Sequence, residues 1–235
     1  MKETKISYEF NPNIFYSGFL LRKKLLLAIK QNAFYMKGKM MDFGCGSKPY
    51  KSVFNVDEYV GVDFYGEGHS HKNEQIDIFY DGVKLPFPDN YFDSVFSSEV
   101  FEHVFNLEEM MLEIRRVMKP GAKILITCPF AIPEHEQPND YARYSSFGLK
   151  HLFEKNNFKV VEYKKIGNHF DTIIQLRISY FALVLLPKLN KLGFVKSIFE
   201  FFIYPLFNIY ALIFSKMFPR SQALYMNNLI VCEKK

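Results

Sequence analysis

The run Lys39-Met40-Met41-Asp42-Phe43-Gly44-Cys45-Gly46-Ser47 constrains this chain more than any other segment. An apolar stretch ends in an acid and passes at once into two glycines one residue apart. A strand-to-loop junction without side chains lets a ligand lie directly against backbone. Seventeen residues after Gly46, the short run Tyr59-Val60-Gly61-Val62 ends in Asp63. An acid that closes the second strand at this spacing is placed to accept the two hydroxyls of a ribose. Together the two features point to a nucleoside-bearing cofactor.

What is missing narrows the choice of nucleoside. Dinucleotide sites add a third glycine that lets the helix pack closely on the strand, but here Gly46 is followed by Ser47-Lys48-Pro49-Tyr50. No G-x-x-x-x-G-K-[ST] phosphate loop occurs in the chain, which argues against a nucleoside triphosphate. A bare D-x-G-x-G suits a cofactor without a pyrophosphate, such as S-adenosyl-L-methionine. An ordinary tight turn is the alternative at this level.

Two further blocks follow. Tyr80-Asp81-Gly82-Val83-Lys84-Leu85-Pro86-Phe87 leads to Asp93-Ser94-Val95 and then to Ser98-Glu99-Val100-Phe101-Glu102-His103-Val104. A helical stretch, Lys119-Pro120-Gly121 and a strand ending at Cys128 come next. With these blocks in order, residues 38–166 plus the last strand resemble the class I S-adenosylmethionine-dependent methyltransferases. The likeness is strongest to the small-molecule type related to the ubiquinone-biosynthesis C-methyltransferases. It implies a Rossmann-like fold and methyl transfer to oxygen or carbon of a small or lipid-linked acceptor. The competing class is a non-catalytic module that keeps the fold to bind a cofactor or a membrane partner.

Composition agrees with a folded chain, since 49% hydrophobic and 17% aromatic residues exclude disorder. Cys45, Cys128 and Cys232 are scattered without metal-ligand spacing, so no metal site is expected and a reducing cytosol suits them. Met1-Lys2-Glu3-Thr4-Lys5 lacks the apolar core of a signal peptide. The expected location is the cytoplasm.

Periodicity places the elements. Phe15, Phe19, Leu20, Leu25, Leu26 and Ile29 predict a helix within residues 14–36, and strands follow at 39–43, 59–62, 75–79 and 94–98. Leu107, Met110, Met111, Ile114, Val117 and Met118 form one apolar helical stripe. Asn106 is read as its N-cap with Glu109 reaching back, and Pro120-Gly121 as its stop. Strand 123–128, helix 146–155 and strand 159–163 complete the alternation. The expected fold is α/β: a doubly wound, mostly parallel seven-stranded sheet, with ligands beyond the strands' C-terminal ends. The expected organisation is an N-terminal helical cap (1–37), a cofactor-binding core (38–166 plus 224–235) and a helical insertion (167–223).

Candidate site residues follow from these placements. Asp42 with the backbone of Gly44 and Gly46 is expected to hold the methionine end of the cofactor, and Cys45 is read as a small loop residue. Asp63 is assigned to the ribose. The resemblance places the acid before Leu85-Pro86-Phe87, within Asp81-Gly82, by the adenine amino group, with Asp77 competing. Glu99 either faces the cofactor or is an exposed carboxylate. On the acceptor side, Pro129 to Ser145 is dense in His, acid, Tyr and Arg, and resembles the Pro…His…Pro-x-Asp-Tyr-x-Arg segment of bacterial members. His135 is a candidate base, substrate contact or loop hydrogen-bonding group; Tyr141 joins it; Arg143 pairs with either an acidic substrate or Asp140. His103 is read as fixing the loop.

The chain departs from a minimal domain before its last strand. Thr172 to Ala223 carries six Lys/Arg against one acid, with eight Phe and three Tyr. Its uncharged runs, Ile178–Pro187 and Phe201–Ser215, fall short of the roughly 20 residues that cross a bilayer, and Pro187 and Pro205 interrupt them. Such a mixture suits helices lying on the inner, anionic face of a membrane. An apolar lid or a homodimer interface is the other reading. Nucleic acid is disfavoured, because no compact basic stripe interleaves with the active-site loops.

Overall fold

The computed structural model describes residues 6–65 and 75–235; the N-terminal segment 1–5, on which the signal-peptide reading rests, lies outside the described residues. Seven strands form one sheet: β1 (Lys39–Phe43), β2 (Glu58–Phe64), β3 (Ile78–Tyr80), β4 (Phe92–Ser98), β5 (Met118–Pro129), β6 (Phe158–Ile166) and β7 (Asn227–Lys234). Their order is β3-β2-β1-β4-β5-β7-β6. The first five pair in parallel, and β7 runs antiparallel between β5 and β6. The mostly parallel, doubly wound sheet expected from the sequence is thus present.

Period-two alternation sorts the strand side chains between two cores. Met41, Phe43, Val95, Ile124, Ile126, Ile230 and Cys232 face one side. There they meet α2 (Leu107–Val117) and α3 (Ser146–Lys155), whose buried Met110, Ile114, Leu149 and Phe153 form a single apolar layer. Met40, Phe96, Leu125, Leu229 and Val231 face the other side and pack on Leu25, Leu26 and Ile29 of α1 (Phe19–Asn32).

Three local expectations need correction. The second helix stops at Val117, not at Pro120-Gly121, because Met118 already pairs with Phe92 of β4. Pro120 and Gly121 instead sit in an irregular stretch of β5 where the register shifts, with Gly121 at φ +73°. Asn106 does occupy the N-cap position but makes no cap bond: its Nδ2 donates to Gly82 O and Glu109 Oε2, each at 3.2 Å, so the reciprocal box is absent. The third strand is shorter and later than 75–79, running from Ile78 to Tyr80, with Asp77 N–H still bonded to Gly61 O at 3.0 Å just before it.

The inserted segment is helical from His169 to Phe214. α4 (His169–Tyr180) opens on a capping box between Asn168 and Asp171, and the chain continues through Phe181–Leu185 and Leu186–Leu192 into α5 (Gly193–Phe214). Pro205 does not interrupt α5, contrary to the sequence reading. His169–Leu189 and Lys196–Phe214 are therefore each long and apolar enough by composition to cross a membrane. Both helices dock on the N-terminal segment. Ile174, Ile178, Tyr204 and Ala211 pack with Phe19 and Leu20. Asp171 pairs with Lys24 at 3.0 Å, and Asn208 Nδ2 donates to Ile14 O at 2.7 Å and Tyr16 O at 3.1 Å. Segments 150 residues apart in sequence thereby share one core.

The loop after β1 turns through left-handed backbone at Gly44 (φ +71°) and Gly46 (φ +44°). A Cβ on Gly44 would lie 2.4 Å from Val100 Cγ2. Gly44→Ala is expected to cost about 1–3 kcal/mol through backbone strain and overlap. Urea unfolding measures this, and an unchanged midpoint would refute the strained geometry.

Candidate functional site

A crevice of about 1070 Å³ opens beyond the C-terminal ends of β1 to β5. The glycine loop floors it. Gly44 and Cys45 donate their N–H groups to Val62 O at 2.9 and 3.2 Å, and Gly46 N–H donates to Asp63 Oδ2 at 2.7 Å. The loop thus hangs from the end of β2. Gly61, which the sequence reading did not single out, makes this possible: a Cβ there would lie 2.2 Å from Lys48 Cε and 2.8 Å from Cys45 Sγ. Cys45 is buried, and its thiol is pushed up by burial, in keeping with its reading as a small loop residue.

Five of the expected cofactor contacts besides Cys45 reach this crevice from different strands: Asp42, Gly44, Gly46, Asp63 and Glu99, with Asp81 and Gly82 joining from the end of β3. Asp42 is buried at the root of β1 and accepts the hydroxyl of Tyr59. Asp81 lies at the rim, where Lys84 and Val83 donate their N–H groups to it at 2.8 and 2.9 Å and hold its carboxyl below the usual range. Asp77 is drawn out of the contest: its Oδ2 takes Lys48 Nζ and Gly61 N–H, both at 2.7 Å, and it does not line the crevice.

Glu99 is not an exposed carboxylate. It is half-buried and takes Asn227 Nδ2 at 2.6 Å and Thr127 Oγ1 at 3.0 Å, with burial pushing its carboxyl up. Arg22 of α1 lines the same wall beside the Phe10 ring; among other apolar positions of α1 it carried no sequence signal.

The acceptor-side loop is ordered by its own ion pair. Arg143 grips Asp140, with Nη2 to Oδ2 at 2.6 Å, and does not line the crevice. The alternative of an acidic substrate on Arg143 is therefore set aside in favour of Asp140. Tyr141 does line the crevice, with its hydroxyl donating to Asn139 Oδ1 at 2.9 Å and its ring edge-on to Phe105. His135 lines it too, but neither ring nitrogen stands free: Nε2 lies 3.2 Å from His103 Nε2, and Nδ1 3.4 Å from Asp140 Oδ2. Burial holds the imidazole below its ordinary value, aided by His103. His103 Nδ1 bonds Asn139 O at 2.7 Å, so it does fix the loop. Glu102, which the sequence reading did not single out, stands between Phe101 and His103 and is fully buried beneath both histidines.

The opposite wall comes from the insertion: Gln175, Leu176, Ser179, Ala182 and Leu183. Gln175 locks this wall to the start of α1 by donating from Nε2 to Ser17 O at 2.9 Å.

Burial pushes the Asp42 carboxyl up to about 7, against the hydrogen bond from Tyr59. Its ordinary value is 3.8, so between these pH values the folded chain keeps a proton that the unfolded chain has released. Stability of the free protein must then fall as pH rises through this window and level off above it. Asp42→Asn keeps an acceptor for Tyr59 and is expected to flatten that slope, by at most about 1.4 kcal/mol per pH unit. Urea midpoints of both chains from pH 4 to 8 check this, and parallel profiles would refute it.

Residues 41–126 match a family model described as a methyltransferase domain. The chain is 37% identical over 96 residues to sterol 24-C-methyltransferase ERG6B of Gibberella zeae, covering 35% of this chain and 25% of that protein. It is 29% identical over 115 residues to 2-phytyl-1,4-naphtoquinone methyltransferase of Synechocystis, covering 43% and 48%. The matched segments thus span less than half of these relatives. In fold, the chain resembles phosphoethanolamine N-methyltransferase 2 of Haemonchus contortus, solved with S-adenosyl-L-methionine, with a TM-score of 0.53 at 18% identity over 98% of this chain and 60% of that one. A floor of left-handed glycines, a buried acid fit for a cationic ligand and an acid closing β2 agree with that cofactor. The chain carries a class I S-adenosyl-L-methionine-dependent methyltransferase domain.

Proposed function

We propose that this protein transfers a methyl group from S-adenosyl-L-methionine to oxygen or carbon of an apolar, lipid-linked acceptor. The observation that carries the choice of acceptor is the crevice wall supplied by the insertion. Leu176, Ala182 and Leu183 face the same space as Gly44 and Asp63. Beyond that wall the insertion is broadly apolar on its outside: Phe201 is 57% exposed, Phe202 65% and Leu206 62%. An acceptor with a long apolar tail could enter along this surface without leaving an apolar environment. The two curated relatives are named for a sterol and a phytyl naphthoquinone, both apolar.

Each group has an assigned task. The bound cofactor supplies a methyl group on an electrophilic sulfonium. Asp42, ionised by a cationic neighbour, and the backbone of Gly44 and Gly46 hold its amino-acid end. Asp63, whose Oδ1 and Oδ2 are held by the N–H groups of Phe64 and Gly46, accepts from the ribose hydroxyls through its remaining lone pairs, and Asp81 reaches the adenine edge. Glu99 and Tyr141 border the reacting centre. Alignment of donor carbon and nucleophile, with water excluded by α4, is the main contribution asked of the protein.

Lys188, Lys196, Lys216 and Arg220 flank the exposed apolar surface, and this supports peripheral contact with an anionic membrane. Two measurements test the reading. Calorimetry is expected to show cofactor binding that Asp63→Ala weakens about tenfold to a hundredfold, the worth of a charge-assisted hydrogen-bond pair. A wild type that ignores the cofactor would leave only a non-catalytic role. Flotation with phosphatidylserine vesicles is expected to capture the protein, and Phe202→Ser with Leu206→Ser to release it. A stable dimer that ignores vesicles, or activity confined to water-soluble acceptors, would count against a lipid-linked substrate.

A further inference from the structure

The loops after β4 and β5 bring Glu102, His103 and His135 together at the crevice edge, with one ligand-capable atom of each lying within 4.8 Å of the others. Their outer contacts fix the proton on His103 and set two alternatives for His135. His103 Nδ1 lies 2.7 Å from Asn139 O, which only accepts, so this nitrogen holds the proton and Nε2 presents its lone pair. His135 Nδ1 lies 3.4 Å from Asp140 Oδ2, a carboxylate that also takes the His135 backbone N–H at 2.9 Å. The same Nδ1 lies 3.5 Å from Arg143 Nη2, so a proton there, given to Asp140, leaves the second Nε2 as a lone pair, whereas Nδ1 accepting from Arg143 puts the proton on Nε2, which a metal ion would displace. The two Nε2 atoms face each other at 3.2 Å.

Glu102 Oε1 stands 3.7 Å from one Nε2 and 3.8 Å from the other. Its side chain is fully buried, and neither carboxyl oxygen has a hydrogen-bond partner among the described residues. A proton shared by the two imidazoles would satisfy the nitrogens alone and leave both oxygens orphaned, at the usual cost of buried unpaired polar atoms. A cation held by all three groups satisfies every one of them.

We propose that Glu102, His103 and His135 form a binding site for a divalent transition-metal ion, ligated through the two Nε2 atoms and the Glu102 carboxylate. Two nitrogens on one tetrahedral zinc ion, each bonded at about 2.0–2.1 Å, stand roughly 3.3 Å apart, close to the spacing present here. The supporting groups are those a metal site uses: Asn139 O orients His103, and Asp140, itself held by Arg143, orients His135. Both histidines line the crevice, so the remaining coordination position opens toward the acceptor. Binding of the ion stands independently of the methyl-transfer reading; its use rests on it. There the ion would fix an acceptor oxygen and lower its pKa, a task that neither engaged nitrogen of His135 is free to perform as a base.

The test uses the full-length, untagged chain, stripped with chelator and titrated with Zn²⁺ by calorimetry and with Co²⁺ by visible absorption. One equivalent is expected to bind, with the intense ligand-field bands of tetrahedral cobalt. Asp140→Asn should weaken binding about 10–100-fold, as loss of an outer partner does, and His135→Ala should weaken it more. Glu102→Gln should do the same; if that buried variant fails to fold, His135→Ala on its half-exposed loop still decides the matter. His151→Ala, an exposed histidine on α3, should change nothing. Absence of binding, or binding indifferent to His135→Ala, would overturn the site. Cofactor calorimetry run alongside separates the outcomes: cofactor without metal refutes this site alone, and metal without cofactor refutes the methyl-transfer reading alone.

Discussion

The rest of the site depends on the bond from Gly46 N–H to Asp63 Oδ2, 2.7 Å long. It ties a loop with two left-handed glycines to the end of the neighbouring strand. Gly44 and Cys45 add two more bonds to Val62 O. Without these anchors, the glycines would give the loop freedom rather than shape, since glycine has most conformational entropy to lose. The second oxygen of the same carboxylate takes the Phe64 N–H at 2.7 Å, so one side chain braces both the loop and the end of β2 while lining the crevice. Gly61 and Lys48 complete the arrangement from below: the missing Cβ leaves room for a lysine that is buried against Asp77.

The second wall has a different origin. A sheet of this type leaves the space beyond its strand ends open, and something must cover it to exclude water. Here the cover joins two pieces distant in sequence. Gln175 and Asn208 bind backbone carbonyls of residues 14–17, and Asp171 pairs with Lys24. These polar bonds fix register, while Phe19, Leu20, Ile174 and Ile178 supply the apolar burial. The face of α5 turned away from this contact stays apolar, which a cover for a water-soluble ligand alone would not need.

The sequence disclosed the sheet because its central strands are buried on both faces and sit between turn residues. It disclosed the glycine loop because the left-handed backbone at Gly44 and Gly46 restricts those positions to few residue types. The misreadings have physical causes too. Pro120-Gly121 is a helix stop by composition, but strand pairing at Met118 claims the chain first. Pro205 reads as a breaker, yet α5 absorbs it within a 22-residue helix. Arg143 was ambiguous between substrate and Asp140 because both offer the same chemistry, and only the fold brings one within reach. Glu102 was invisible, since a carboxyl between Phe101 and His103 in a loop carries no pattern of burial; its environment comes from β5 and the loop after it.

Two buried acids, at opposite ends of one crevice, give the site its electrostatic character. Asp42 and Glu102 each lie in surroundings that disfavour their charge, and burial is the leading cause in both. A buried carboxylate is tolerated when a cation compensates it, and the crevice offers no lysine or arginine to Asp42 at hydrogen-bond distance, only Tyr59. The free protein therefore stores a cost that a positively charged ligand relieves. At the glycine-loop end, the ammonium and sulfonium of the methyl donor would meet that need under the proposed function. At the histidine end, where two imidazoles and an orphaned carboxyl converge, the proposed metal ion would meet it. Both ligands would bind more tightly as the carboxyls lose their protons, so the burial that weakens the free protein toward neutral pH is what draws cations to the reacting centre.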